Sequence, residues 1–338
     1  MNITGLKNRW ETPEGREKVK AIIKALQSNV SLEKYVEKIN DKWDLRGIKL
    51  AEPKFKEEVV PNYSIIINEN TLEFKNAVLH GIDFSFSDLS YSLWTKCEFV
   101  NLTLFNTKAA NIRFWACKMK SSIVEKTNFS NSLLGGRLKT DSGSFEDVNF
   151  KNANLKSTVY SFPLFKNCIF ENCNLDEVNF DGSRFESCIF KGRLYSTIFR
   201  GITTDYEKRI FWEKSINPRD FPNKMKNIDF KEAELNGVSF IDGVDLSTCK
   251  LPSSGDYLLV SNLKLLYKKA KDIISMEWSG ENKRIGLEII DSLYYTKNHK
   301  SQKQDIIDKN FLTEQFGYDF ADKFYALIAT IHASLGSE

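Results

Sequence analysis

The residues of this 338-residue chain best suited to chemistry are six cysteines and three histidines, so their spacing comes first. Cys168 and Cys173, with Cys188 further along, have the density of a metal site. His80, His299 and His332 stand apart, and none lies beside a Cys, Ser or carboxylate in the arrangement of a nucleophile with its base. No P-loop, dinucleotide fingerprint, nucleophile elbow or zincin helix occurs, and Gly135-Gly136 reads as a turn rather than a phosphate cradle. Asp and Asn recur at Asp83, Asp88, Asn128, Asn149, Asn154, Asn174 and Asn179, which would suit acid–base work in pairs. Recurrence in steps of five marks them instead as turn hydrogen-bonders. No residue stands out as catalytic.

The elements that hold these residues repeat. Stepping by five from Phe74 gives Leu79, Phe84, Leu89, Trp94, Phe99, Leu104, Ala109, Phe114, Met119, Val124, Phe129 and Leu134, all bulky and apolar but Ala109. After a ten-residue break the step restarts at Phe145 and runs through Phe150, Leu155, Tyr160, Phe165, Phe170, Leu175, Phe180, Phe185 and Phe190 to Tyr195. A third run holds Phe230, Leu235 and Phe240, then Leu246 and Leu251 after a one-residue slip. Five is neither the helix nor the strand period. Two residues before each large one sits a mostly small residue, and all six cysteines, Cys97, Cys117, Cys168, Cys173, Cys188 and Cys249, occupy that position.

The pattern small-(Asp/Asn)-(Leu/Phe)-polar-polar resembles that of the pentapeptide-repeat family, over roughly residues 72–251, with an early outlier in Asp44 to Leu50. The resemblance implies a mainly β fold: a right-handed quadrilateral β-helix with one pentapeptide per side and twenty residues per turn. Residues twenty apart then stack, giving the columns Phe74/Trp94/Phe114/Leu134, Phe145/Phe165/Phe185 and Phe150/Phe170/Phe190. In that frame the cysteines are compact apolar fillers, held as thiols in a reducing compartment. No metal, disulfide or cofactor is expected. Leu72, Ile82, Leu102 and Ile112 at the small position, with Pro163 and Arg193, predict bulges or a wider coil.

A β-helix leaves unpaired backbone at both ends and needs caps. Residues 1–64 read as a helical N-terminal cap. One helix starts at Thr12-Pro13-Glu14 and buries Val19, Ile22, Ile23 and Leu26, and a second starts at Ser31 with Leu32, Tyr35, Val36 and Ile39 inward. Tyr63 to Ile67 reads as the first strand of the coil, so the β-helix is assigned to residues 65–255. From about Asp256 the spacing turns helical, with Leu259, Leu263, Leu266, Ala270, Ile273 and Ile274, then Leu287, Ile290, Leu293 and Tyr294, then Phe320, Phe324, Leu327, Ile328, Ile331 and Leu335. Residues 256–338 thus form a C-terminal α-helical docking or capping domain, and Lys300, Lys303 and Asp305 a polar connector.

Two interruptions carry the functional signal. Residues 135–144 form a small polar loop with Arg137 and Lys139. Residues 200–226 hold seven basic and four acidic residues together with Tyr206, Lys208, Arg209, Phe211 and Trp212. Aromatics among arginines are typical of partner-binding anchors, although Phe211 and Trp212 would equally fold back on the rod. The expectation is a non-enzymatic protein-interaction scaffold that binds a partner protein through residues 200–226, the C-terminal helices, or both, with a homodimer through those helices as one form of it.

The alternative implied by the resemblance is modulation of DNA gyrase or another type II topoisomerase by a DNA-like rod. Such mimicry needs a strongly negative surface, whereas residues 65–251 carry 24 basic and 23 acidic residues. Without a basic stripe, nucleic acid is not an expected partner. No apolar run approaches a membrane span, and the N-terminus lacks the basic-then-apolar pattern of a secretory signal, so the expected compartment is the cytoplasm of a bacterium, a secreted effector being the exception.

Overall fold

The chain turns a corner every five residues because one residue in five adopts the left-handed conformation. Asn76, Gly81, Phe86, Tyr91, Lys96 and Asn101 all have φ between 53° and 64°, and the series continues through Asn131. These residues lie two after each large apolar one, at a position that varies in type from Asn to Phe; Asn is frequent there because its side chain tolerates this region. Asp and Asn one before the large residue play the expected turn role at several corners, where the Asp83, Asp88, Asn128, Asn154 and Asn174 Oδ1 atoms accept from the amide two residues on (2.9–3.2 Å). Asn149 and Asn179 depart from it, since their buried Oδ1 atoms take no partner among the described residues.

The computed structural model describes residues 2–60, 63–138, 141–201, 222–252, 255–295 and 302–335. The corners wind the chain into a parallel β-helix with four stacked faces. One face runs from Leu72–Lys75 through Ser92–Thr95, Arg113–Trp115 and Leu133–Gly136, and continues through bridges at Val159 to Asn179–Phe180, Ile198–Arg200 and Ser239–Ile241. The next stacks six strands from Val78–His80 to Arg184–Glu186, and a third stacks nine from Lys38–Ile39 to Asp229–Asn236. The fourth is a ladder of bridges through Lys49, Asp88, Lys108, Asn128, Asn154 and Asn174. Partners lie twenty residues apart, as in Leu72 with Ser92, Thr103 with Ile123 and Leu164 with Arg184.

That register builds the aromatic ladders. Phe145/Phe165 and Phe165/Phe185 stack at 4.9 Å with 9° between planes, and Phe150/Phe170 and Phe170/Phe190 at 4.9 and 4.8 Å, the spacing of paired strands. Phe114 is the exception. Its backbone pairs with Trp94, but its ring stacks across the bore on Phe99 at 4.9 Å. Irregular register occurs between Arg113 and Trp115, directly after Ile112, and between Ile189 and Lys191, just before Arg193.

The N-terminal expectations need three corrections. Helices span Ile3–Glu11 and Pro13–Gln27, but Ser31 to Tyr35 only turns, and Lys38–Ile39 begins a strand; left-handed Asn29, Asn40 and Asp41 interrupt any helix there. Asp44 to Leu50 is not an outlier but the first coil, with Trp43 paired to Ile82 and Lys49 to Asp88. Tyr63–Asn68 stays out of the coil and pairs antiparallel with Phe55–Val60 in a separate ribbon.

Side chains close both ends of the stack. At the start, Asn29 Nδ2 donates to Asn76 O (3.0 Å) and its Oδ1 accepts from Val78 N (2.7 Å), while Gln27 Nε2 donates to Glu73 O (2.8 Å). At the far end the Tyr257 hydroxyl bridges Leu235 N and O (2.8 and 2.9 Å), and Gln302 Oε1 accepts from Gly243 N (2.7 Å). Beyond this end, helices Leu263–Glu277, Gly280–Tyr295, Lys309–Phe316 and Tyr318–Leu335 build a second core around Tyr267, Ile274, Ile290, Phe324 and Ile328. The polar connector is in part ordered structure: Gln304–Asp308 is a strand, paired antiparallel with Tyr257–Ser261.

Candidate partner-binding site

The larger interruption is built on one corner of the rod. The Ile198–Arg200 strand pairs on both sides, with Asn179–Phe180 and Ser239–Ile241, so the stack is continuous where the chain departs. Gly201 follows, its amide donating to Ile241 O (2.9 Å). A Cβ on Gly201 would stand 2.5 Å from Asp242 O, so only glycine fits this close approach. The chain returns at Pro222, and Asn223 ties the two ends together. Its N–H donates to Gly201 O (3.0 Å), its Nδ2 to Arg200 O (3.2 Å), and its Oδ1 accepts from the amides of Phe185 and Met225 (both 3.2 Å). Beside this clasp Arg200 Nη1 meets the fully buried Asp242 Oδ2 at 2.5 Å.

The interruption is therefore narrower than residues 200–226. Arg200, Gly201 and residues 222–226 belong to the rod, with Met225 wholly buried and Lys226 bridged to Glu186 forty positions earlier, one coil below. Tyr206, Lys208, Arg209, Phe211 and Trp212 lie outside the described residues. So does Lys139.

The smaller loop lengthens one turn, since Lys118 pairs with Ser144 and Asn128 with Asn154, twenty-six apart instead of twenty. Leu138 and Asp141 exchange two backbone hydrogen bonds (2.9 and 3.0 Å) at its neck. Arg137 is not a surface anchor: it is only 3% exposed and lies over the Phe162 ring, 5.5 Å from its centroid. The stem of the loop thus packs onto the rod, which sequence reasoning missed because Phe162 belongs to the next coil.

The surface around these corners is close to neutral by construction. Lys118 sits 3.7 Å from Glu98, Glu146 takes both Lys120 (3.5 Å) and Lys166 (3.7 Å), Lys151 meets Glu171 (3.1 Å) and Lys191 meets Glu232 (2.8 Å). Successive coils carry opposite charges at equivalent positions. The thiols are inward, and burial pushes the Cys173 and Cys249 thiols up to about 12, far from nucleophilic use. Among the described residues no group of three or more His, Cys, Asp or Glu could hold a metal ion. A groove of about 1310 Å³ separates the last coil from the C-terminal unit, with Asp245 and Ser247 facing Lys264, Leu265 and Lys303; these residues are too far apart in sequence to have signalled a common site.

Residues 144–189 match the family described as pentapeptide repeats (9 copies). That stretch is a run of pentapeptide repeats. No curated protein matches the chain. Among solved structures, it is similar to the pentapeptide repeat protein Rfr23 from the cyanobacterium Cyanothece 51142, with 14% identity over 35% of this chain and 91% of that one and a TM-score of 0.32. HetL, a pentapeptide repeat protein involved in heterocyst differentiation regulation from Nostoc sp. strain PCC 7120, matches at 11% identity over 54% and 90%, TM-score 0.33. A trypsin-treated form of QnrB1, a plasmid-mediated fluoroquinolone resistance protein, matches at 10% identity over 59% and 90%, TM-score 0.23.

Proposed function

We propose that this chain is a right-handed, non-enzymatic pentapeptide-repeat scaffold that presents residues 202–221 to a partner protein. The clasp at the base of the excursion carries this reading. Because Asn223 joins Gly201 across it and the strands on either side keep their pairing, the rod needs nothing from residues 202–221 to hold its register. A segment rich in Tyr, Phe, Trp and Arg, attached to a rigid corner that closes without it, suits recognition: the anchors come with their base already ordered. Arg137 drops out of the anchor set on its burial, leaving Tyr206, Lys208, Arg209, Phe211 and Trp212 as candidates, with Lys139 beside the smaller loop.

Docking or homodimerisation through the C-terminal helices is the second part of the proposal and has less support. Their apolar stripes are spent on their own core, and what remains outside among the described residues is Leu265, Met276, Phe316 and Tyr318. Topoisomerase modulation by duplex mimicry is disfavoured by the charge ladders, which cancel along the rod the negative field that such mimicry requires.

The test is affinity capture from host lysate with the full chain beside a variant whose residues 202–221 are replaced by a short Gly-Ser linker, followed by titration of the purified partner. A protein retained by the first and lost by the second is expected, with Trp212→Ala and Arg209→Ala each weakening binding by about 1 to a few kcal/mol. Identical captures would sink the loop reading. Steep loss of binding with salt would point to a nucleic acid instead.

A further inference from the structure

The ribbon of Phe55–Val60 and Tyr63–Asn68 stands outside the rod, and among the described residues neither strand pairs with a third. Phe55, half exposed, meets Tyr91 of the rod edge-on at 5.1 Å. A two-stranded ribbon is marginal in water, and each open edge displays a row of unpaired donors and acceptors. Its two edges differ in kind. Phe55–Val60 carries Lys56, Glu57 and Glu58, with Lys56 and Glu58 paired along it at 3.6 Å, and lies between Pro53 and Pro61. Charge and proline are the usual protection of an edge. Tyr63–Asn68 reads Tyr-Ser-Ile-Ile-Ile-Asn and carries neither.

The register shows which groups face outward. Glu69 N donates to Lys54 O (2.8 Å), so the pairs Lys56–Ile67, Glu58–Ile65 and Val60–Tyr63 bond within the ribbon by antiparallel alternation. Ser64, Ile66 and Asn68 consequently turn their backbone N–H and C=O to the open edge, where Asn68 O already accepts from the Thr71 hydroxyl (3.3 Å) and offers its second lone pair. Only one antiparallel self-pairing engages all three: a two-fold axis through Ile66, with Ile66 opposite Ile66, Ser64 opposite Asn68 and Ile65 opposite Ile67. It opposes no like charges and buries no charge.

We propose that the open edge of Tyr63–Asn68 pairs with the same edge of a second copy of this chain, forming a four-stranded antiparallel sheet about a two-fold axis. Such a contact is self-complementary and closes at two copies.

Analytical ultracentrifugation across a wide concentration range tests this with three proteins: the full chain, Ile66→Lys and Ile66→Glu. The full chain should sediment at twice its 39.0 kDa monomer mass. Each variant sets like charges face to face on the axis and should dimerise at least about tenfold more weakly. An equimolar mixture should restore the dimer, since Lys then faces Glu. The ribbon lies outside the rod, so all three should melt alike at concentrations low enough to keep each monomeric, and circular dichroism checks this. A full chain that stays monomeric overturns the proposal, as do single variants that dimerise like the parent. So does a mixture that fails to recover, because only an axis through residue 66 predicts recovery.

Discussion

At the residue scale, the small inward position does more than fill space. Thr107, Thr127 and Ser132 donate their hydroxyls to Phe84 O, Leu104 O and Ala109 O of the preceding coil (2.9, 2.7 and 3.1 Å), and Cys117, Cys168 and Cys173 point thiols at Trp94 O, Phe145 O and Phe150 O (3.2–3.3 Å). The residue type is thus set by a carbonyl at each corner as well as by volume, which explains why Ser, Thr and Cys interchange there. Tyr160 is the contrary case. Its hydroxyl is buried in the bore with no partner among the described residues, and burial drives its pKa upward. Removing an unpaired buried polar group relieves a desolvation cost, whereas removing a bonded one does not. Tyr160→Phe should therefore stabilise the protein by about 1 kcal/mol and Thr127→Val destabilise it by about the same amount. Urea unfolding measures both, and a Tyr160→Phe variant clearly weaker than the parent would show that the hydroxyl is satisfied.

At the scale of elements, the ends of the β-helix are closed by side-chain amides and a phenol imitating a further strand. Asn29 offers both a donor and an acceptor to Asn76 and Val78, as a paired backbone residue would. It is itself left-handed at φ 54°, so glycine in its place keeps the backbone geometry and removes only the amide. Asn29→Gly should cost about 1–2 kcal/mol and speed hydrogen exchange at the Val78 amide by about tenfold or more. Unchanged exchange at Val78 would mean that the cap is made elsewhere. That a cap was needed is legible in the chain, because a repeat that pairs coil to coil must end in unpaired backbone. Which residues supply it is not, since Asn29 and Gln302 carry no local pattern distinguishing them from surface amides.

For the whole molecule, two cores imply two responses. The rod depends on stacked aromatics and on Asp44, where burial is outweighed by the Arg46 and Arg9 guanidiniums, which hold the carboxyl well below its usual range. A depressed carboxylate contributes stability above its unfolded pKa and loses it only as pH falls into the acid range. The C-terminal unit holds the opposite case. Burial raises the Asp305 pKa from 3.8 to about 6, outweighing the Ile306 amide and the Tyr267 hydroxyl (3.0 Å), whose hydrogen bonds favour the charged form. A raised carboxyl favours the folded state when protonated, so that stability is present below about pH 4 and is lost as pH rises through about 6. Calorimetry from pH 4.5 to 7 should move the C-terminal transition downward by on the order of 2 kcal/mol, allowing for partial solvent access, with the rod transition nearly still. Asp305→Asn should flatten the dependence; a single transition that ignores pH would contradict the picture.

The five-residue period determined the coil, the stacking of residues twenty apart and the inward course of the cysteines, because one left-handed corner per pentapeptide makes local sequence and global winding the same fact. The helix starting at Pro13 was legible for a similar reason, its cap and first turn being contiguous. What only the tertiary structure decided were contacts between segments without a shared period: Asp44 to Leu50 drawn in as the first coil, Tyr63–Asn68 turned out of the stack, Arg137 folded onto Phe162, and Asn223 closing the base of the excursion. Each depends on which distant groups the finished coil brings within reach. That is a property of the assembled rod, and no stretch of the chain carries it alone.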